Sequence, residues 1–156
     1  SDRILITELN HSAMSIQAFK GVEIGMGFEA ARVPGSQAHD EIYYEAGRGF
    51  YHTTNRCGGL EGSMTNGDPL IIRGAMKPIP TLYQPLHSAD FISHEAGLAS
   101  VERSDACAVP AAAVVMQNAV AWTILESFFE KFGGDNMDEV MRNYQNYLDY
   151  VKDVVL

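Results

Sequence analysis

Apolar residues near the start of the chain fall at Ile6, Leu9, Met14 and Ile16, a spacing that predicts a helix over residues 5–19. Val22 and Ile24 then alternate with polar neighbours, which predicts a short strand. Residues 31–39 mix Gly, Pro and Ser and read as a loop. Aromatic and β-branched residues return in 40–44 and 49–54, and two further strands are expected there. Glycines at 58, 59, 62 and 67 make residues 57–67 a long, flexible loop. Residues 70–76 form the most strand-like run. Pro78 and Pro80 then remove ladder donors, so 77–81 should be extended and unpaired, or a sheet edge.

The last third has a different period. From Pro110, a favourable first helical residue, apolar positions recur at Ala111, Val115, Trp122, Leu125, Phe129 and Phe132. Gly133 and Gly134 should stop that helix. Asp135 or Asn136 can cap a second one, with Asp138 and Glu139 in its first turn, where the helix dipole favours acids. Val140, Tyr144, Tyr147, Leu148, Val151 and Val155 supply its apolar face. The chain thus reads as one α+β unit over 1–156, with loops and strands in 1–104 and a helical tail in 105–156.

Composition narrows the function. A length of 156 residues suits one domain with a real core. A net charge of −9 argues against a broad nucleic-acid surface, although a local basic pocket for a small anion remains compatible with it. Cys57 and Cys107 form no CxxC pair and are expected as reduced thiols in a reducing, cytoplasmic setting, Cys107 the more core-like. No run reaches the roughly 18 uninterrupted apolar residues of a membrane span. Residues 1–3 lead into no signal-peptide pattern, and a first residue other than Met suggests a processed product or a fragment. His11, His39, His52, His87 and His94 have no metal-ligand spacing, so no metal site is expected.

Three segments carry candidate chemistry, each with a plain structural alternative. The glycine loop around Gly62 could admit a phosphate or flavin edge, or could simply turn. Lys77, Pro78, Ile79, Pro80 and Thr81 offer a rigid strip with one cation and one hydroxyl, or a sheet edge. Arg103 and Asp105 could meet an anion and a proton in transit, or could pair with an acid and cap the following helix.

Taken together the segments are not generic. Ser15-Ile16-Gln17-Ala18-Phe19-Lys20-Gly21-Val22-Glu23-Ile24-Gly25 resembles a sequence block of the chorismate synthases. So do Asn55-Arg56-Cys57-Gly58-Gly59-Leu60-Glu61-Gly62-Ser63-Met64-Thr65-Asn66-Gly67, Ala75-Met76-Lys77-Pro78-Ile79-Pro80-Thr81, and the run from Arg103-Ser104-Asp105 to Ala112. The resemblance implies a β-α-β sandwich of antiparallel sheets around central helices, assembled as a homotetramer. It implies conversion of 5-enolpyruvylshikimate 3-phosphate to chorismate and phosphate by anti-1,4-elimination, with reduced FMN required and no net redox change. The implied FMN contacts are Gln17, Ala18, Gly62, Lys77, Pro78, Ile79, Pro80, Thr81 and Arg103, with Asp105 assisting proton movement.

Gln117 replaces the glutamate of the family signature, and Ala106 its usual valine, proline or serine. The family's two catalytic histidines and most of its substrate-binding basic residues belong to an amino-terminal half, and none of the five histidines here sits in a matching motif. This polypeptide alone is therefore expected not to turn over. It is expected to expose sheet edges and apolar surface, and so to associate. A non-catalytic flavin-binding or self-associating module is the alternative. Some family members reduce their own flavin with NADPH; the bacterial-type motifs here lean toward dependence on a separate reductase.

Overall fold

The computed structural model describes residues 5–102 and 107–155. Helix α1 (Leu5–Met14) buries Leu9 and Ala13 completely. It stops short of the expected residue 19. Ser15 N–H still reaches His11 O, but Ala18 takes a left-handed φ of 71° and turns the chain into strand β1 (Phe19–Ile24). Burying Phe19 in the ladder outweighs another helical turn.

Strand β1 pairs antiparallel with β6 (Ile72–Met76), from Phe19↔Met76 to Ile24↔Ile72, with a bulge between Phe19 and Gly21. The loop expected over 31–39 is partly helical: a 3-10 helix (Gly27–Arg32) precedes the short α2 (Gly35–Ala38). The aromatic run forms the hairpin β2 (Ile42–Glu45) and β3 (Gly49–His52), with Tyr43 on Tyr51 and Tyr44 on Phe50 across the strands. Inside the glycine loop lies a minimal hairpin, β4 (Leu60–Glu61) with β5 (Met64–Thr65). A last hairpin, β7 (His87–Ala89) with β8 (Ala96–Leu98), has no counterpart in the sequence expectation. The class is α+β, with four two-stranded antiparallel sheets among the described residues.

Helix α3 (Val109–Phe132) begins with proline in its first turn and ends at Gly133, as its sequence suggests. The face it packs is different. Ala112 and Thr123 are buried and α1 lies against the helix, whereas Val115, Trp122, Leu125 and Phe129 are exposed. The helix is apolar nearly all round, so periodicity alone could not choose a side. By length and composition it could cross a membrane, which amends the expectation that no segment could. Helix α4 (Met137–Val155) is capped by Asn136, whose Oδ1 accepts Glu139 N–H at 3.0 Å. Its Tyr144 and Tyr147 meet Phe128 and Phe132 of α3 in an aromatic cluster.

The chain exposes 11769 Å², well above the roughly 7,700 Å² of a compact monomer of this mass. Large apolar side chains are exposed on α3, on α4 and on the β7–β8 tip, where Phe91 is 93% exposed.

Candidate functional site

The candidate segment 77–81 is anchored at one end of the β1–β6 ribbon. The carbonyl of Ala18 accepts the Lys77 N–H at 2.7 Å, just beyond the Phe19↔Met76 pair. Gln17 and Ala18 therefore lie beside the start of residues 77–81, although 58 or more positions separate them in sequence. Residue 77 is not unpaired, as the prolines suggested; beyond it the strip leaves the ladder. Lys77 is exposed, with no acidic partner among the described residues, and Gln17 is also exposed. Pro78 and Pro80 have no N–H to satisfy and fix their own φ, so the strip can stay extended at little entropic cost. Ile79 and Thr81 are half-buried.

The glycine loop is rooted at the other end of the same ribbon, on the order of 20 Å away at about 3.3 Å per residue. Its root is a crossing of two backbones. A Cβ on Gly58 would stand 2.4 Å from Gly25 N, and one on Gly25 would stand 2.1 Å from Arg56 O, and both residues have positive φ. Gly25 N–H donates to Ile71 O, and Ile71 N–H donates to Gly58 O. Only glycine permits this approach.

Side chains from elsewhere hold the loop, which is more ordered than its glycines suggested. The Asp40 carboxylate accepts N–H from Arg56 at 2.8 Å and Cys57 at 2.9 Å, and the Thr54 hydroxyl. Burial alone would raise the Asp40 carboxyl, but these donors outweigh it and hold the group well below the usual carboxylate range. Asn55 Oδ1 accepts Gly59 N–H at 2.7 Å. His52 Nδ1 lies 2.7 Å from Asp68 Oδ2 and so ties β3 to the loop's far end. Cys57, not Cys107, is the sheltered thiol: Cys107 is exposed, and burial pushes the Cys57 thiol up. Gly62 sits at the exposed tip of the β4–β5 hairpin with φ 54° and open space where a Cβ would project.

Arg103, Asp105 and Ala106 lie outside the described residues. Gln117 is exposed on α3. Two open grooves, about 460 Å³ between Gly25, Thr54, Arg56 and Arg73 and about 330 Å³ beside Ile6, Val22 and Phe28, contain none of the candidate residues. Arg73 is already engaged there by Glu23 and by the carbonyls of Gly25 and Met26. The roles of Asp40 and His52 in shaping the glycine loop were not legible in the sequence because their partners Arg56 and Asp68 are each 16 positions away along the chain. Among the described residues no group of His, Cys, Asp or Glu could hold a metal ion.

A family model described as chorismate synthase matches residues 2–129. A chorismate synthase of Geobacter metallireducens is 57% identical over 158 residues, covering 97% of this chain and 40% of that protein. One of Syntrophotalea carbinolica is 62% identical over 151 residues, covering 97% and 39%. A crystal structure of chorismate synthase superposes with a TM-score of 0.77 at 42% identity, covering 97% of this chain and 38% of that one. The chain thus spans about two fifths of the length of these relatives, and the region matched by the family model takes in most of α3. On this identity over nearly its whole length, the chain belongs to the chorismate synthase family.

Proposed function

We propose that this chain forms the carboxy-terminal part of a chorismate synthase acting in aromatic amino acid biosynthesis. The reaction is the anti-1,4-elimination that breaks one C–H and one C–O bond of 5-enolpyruvylshikimate 3-phosphate, giving chorismate, phosphate and a proton. The observation that carries the reading is the Ala18–Lys77 hydrogen bond, which brings two family blocks to one point. That point suits FMN: an exposed ammonium for the phosphate, an exposed amide side chain at Gln17, and a rigid proline strip. When bound, reduced FMN supplies a transient electron as phosphate leaves.

The protein's share is positioning and electrostatics. Lys77 offers charge to the cofactor phosphate, while Pro78 and Pro80 keep Ile79 and Thr81 in place. Gly62 offers backbone free of side-chain bulk to the same cofactor, and Arg103 adds a second cation. Asp105 accepts or relays the proton. The complete enzyme is a cytoplasmic homotetramer whose flavin is reduced by a separate reductase or with NADPH of its own, the bacterial-type motifs leaning toward the first.

A chimera tests this. Residues 1–156 would be joined to the amino-terminal portion of the Geobacter metallireducens relative, and chorismate formation followed with reduced FMN. The chimera is expected to turn over and the 156-residue chain alone is not. A folded, flavin-loaded chimera without turnover would contradict the proposal. The large exposed apolar surface favours a second reading, a non-catalytic module that self-associates. Turnover by the chimera would exclude it.

A further inference from the structure

The Ala18–Lys77 contact rests on a packing arrangement that lies outside every candidate site residue. Phe19 follows Ala18 directly and is 6% exposed. Its ring lies across the backbone of Gly74 on the neighbouring strand. A Cβ at Gly74 would stand 2.2 Å from Phe19 Cε1, 2.6 Å from its Cδ1 and 3.0 Å from Met116 Sδ of α3. Phe19 therefore occupies the volume of the missing side chain, with Met116 closing over the same spot.

The setting makes this more than filler. Phe19 joins a left-handed residue, Ala18, to a bulge, the two backbone irregularities of this strand. A left-handed non-glycine residue persists only where its surroundings over-determine it, and bulges re-aim the chain beside sites. Gly74 stands three residues before Lys77 on the strand that delivers the 77–81 strip. Met116 sits in the first half of α3, the helix that opens shortly after Arg103 and Asp105 in the chain. The space over Gly74 is thus shared by a ring leading directly out of Ala18 and by a side chain of the helix that follows Arg103.

We propose that Phe19, Gly74 and Met116 are positioning residues that set the spacing between the 17–18 and 77–81 segments, and so the affinity for FMN. The inference rests on the FMN reading of those segments. Substitution Gly74→Ala forces the Phe19 ring away and should raise the FMN Kd of the chimera at least tenfold. Adding Phe19→Leu, which removes the ring atoms in the way, should recover most of that loss.

The test titrates FMN into the parent chimera, Gly74→Ala and Gly74→Ala/Phe19→Leu, reading Kd and the visible absorption difference of bound flavin. Alkylation of Cys57, which is half-buried and lies at the far end of the ribbon, reports general folding when compared with the same protein unfolded in denaturant. The expected result is weak binding and an altered spectrum in Gly74→Ala, with Cys57 still slow to react, and rescue in the double variant. Parent-like binding by Gly74→Ala overturns the positioning role. So does loss of binding together with rapid Cys57 alkylation that Phe19→Leu does not reverse, which would mark plain core packing. A parent chimera that takes up no FMN sinks the FMN reading itself, and this inference with it.

Discussion

The carbonyl of Ala18, a residue in the left-handed region, accepts the N–H of Lys77 at 2.7 Å and closes one end of the β1–β6 ribbon. The bond fixes the backbone of two sequence blocks to each other before any ligand arrives. Left-handed conformation costs an L-residue about 1–2 kcal/mol, and more when it is β-branched. Ala18→Val should therefore lower stability by about 1–2 kcal/mol. Ala18→Gly should change it by less than about 1 kcal/mol, because the relief of strain is offset by glycine's larger unfolded-state entropy. Denaturant unfolding of the two variants measures the difference.

The glycine loop gives a sharper contrast. Gly58 and Gly47 both have positive φ, but a Cβ on Gly58 meets Gly25 backbone at 2.4 Å, while one on Gly47 meets nothing within 4 Å. Backbone cannot step aside as a flexible side chain can. Gly58→Ala should cost about 3 kcal/mol or more, and Gly47→Ala about 1 kcal/mol, as read from unfolding midpoints.

Asp40 predicts a pH dependence. Its folded-state pKa is depressed, because donors from Arg56, Cys57 and Thr54 outweigh the burial that would raise it. The unfolded state therefore binds the proton first as pH falls, so the carboxylate's contribution is complete above its ordinary value of about 4. It drains away as pH drops below that. Asp40→Asn should lose about 1–2 kcal/mol at neutral pH, and the gap to the parent should narrow below pH 4. A gap independent of pH would show that the charge is irrelevant.

Trp122 is 63% exposed and Leu125 41%, on the side of α3 away from Ala112 and Thr123. A patch of this kind drives association in water. Sedimentation of the 156-residue chain should show oligomers at micromolar concentration, and Trp122→Ser with Leu125→Ser should shift them toward monomer. Stability of the monomer should change by less than about 0.5 kcal/mol, since little contact is lost.

Legibility of the sequence followed how local each determinant was. The α3–α4 junction was readable because Pro110, Gly133, Gly134 and Asn136 act on their immediate neighbours. Strands β2 and β3 were readable from their aromatic residues, and their pairing as a hairpin came from the fold. The buried face of α3 was not, because Ala112 and Thr123 are less apolar than the residues left outside. The β7–β8 hairpin is held by a turn in which the Asp90 carboxylate accepts N–H from Ile92 and Ser93, without apolar alternation to announce it. Order in the glycine loop depends on the Asp40–Arg56 and His52–Asp68 contacts, each joining residues 16 positions apart. For the site, residues 17–18 and 77–81 were each recognisable as family blocks, but their meeting through one backbone hydrogen bond was visible only in the fold.

If FMN binds where residues 17–18 meet 77–81, binding of its phosphate should depend on the Lys77 ammonium. An anaerobic titration of reduced FMN into the chimera, with and without Lys77→Met, compares the two dissociation constants. Loss of a charge-assisted bond to phosphate is worth about 1.5–3 kcal/mol, so Lys77→Met should weaken binding by roughly tenfold or more. Equal dissociation constants in the folded parent and variant would contradict the account.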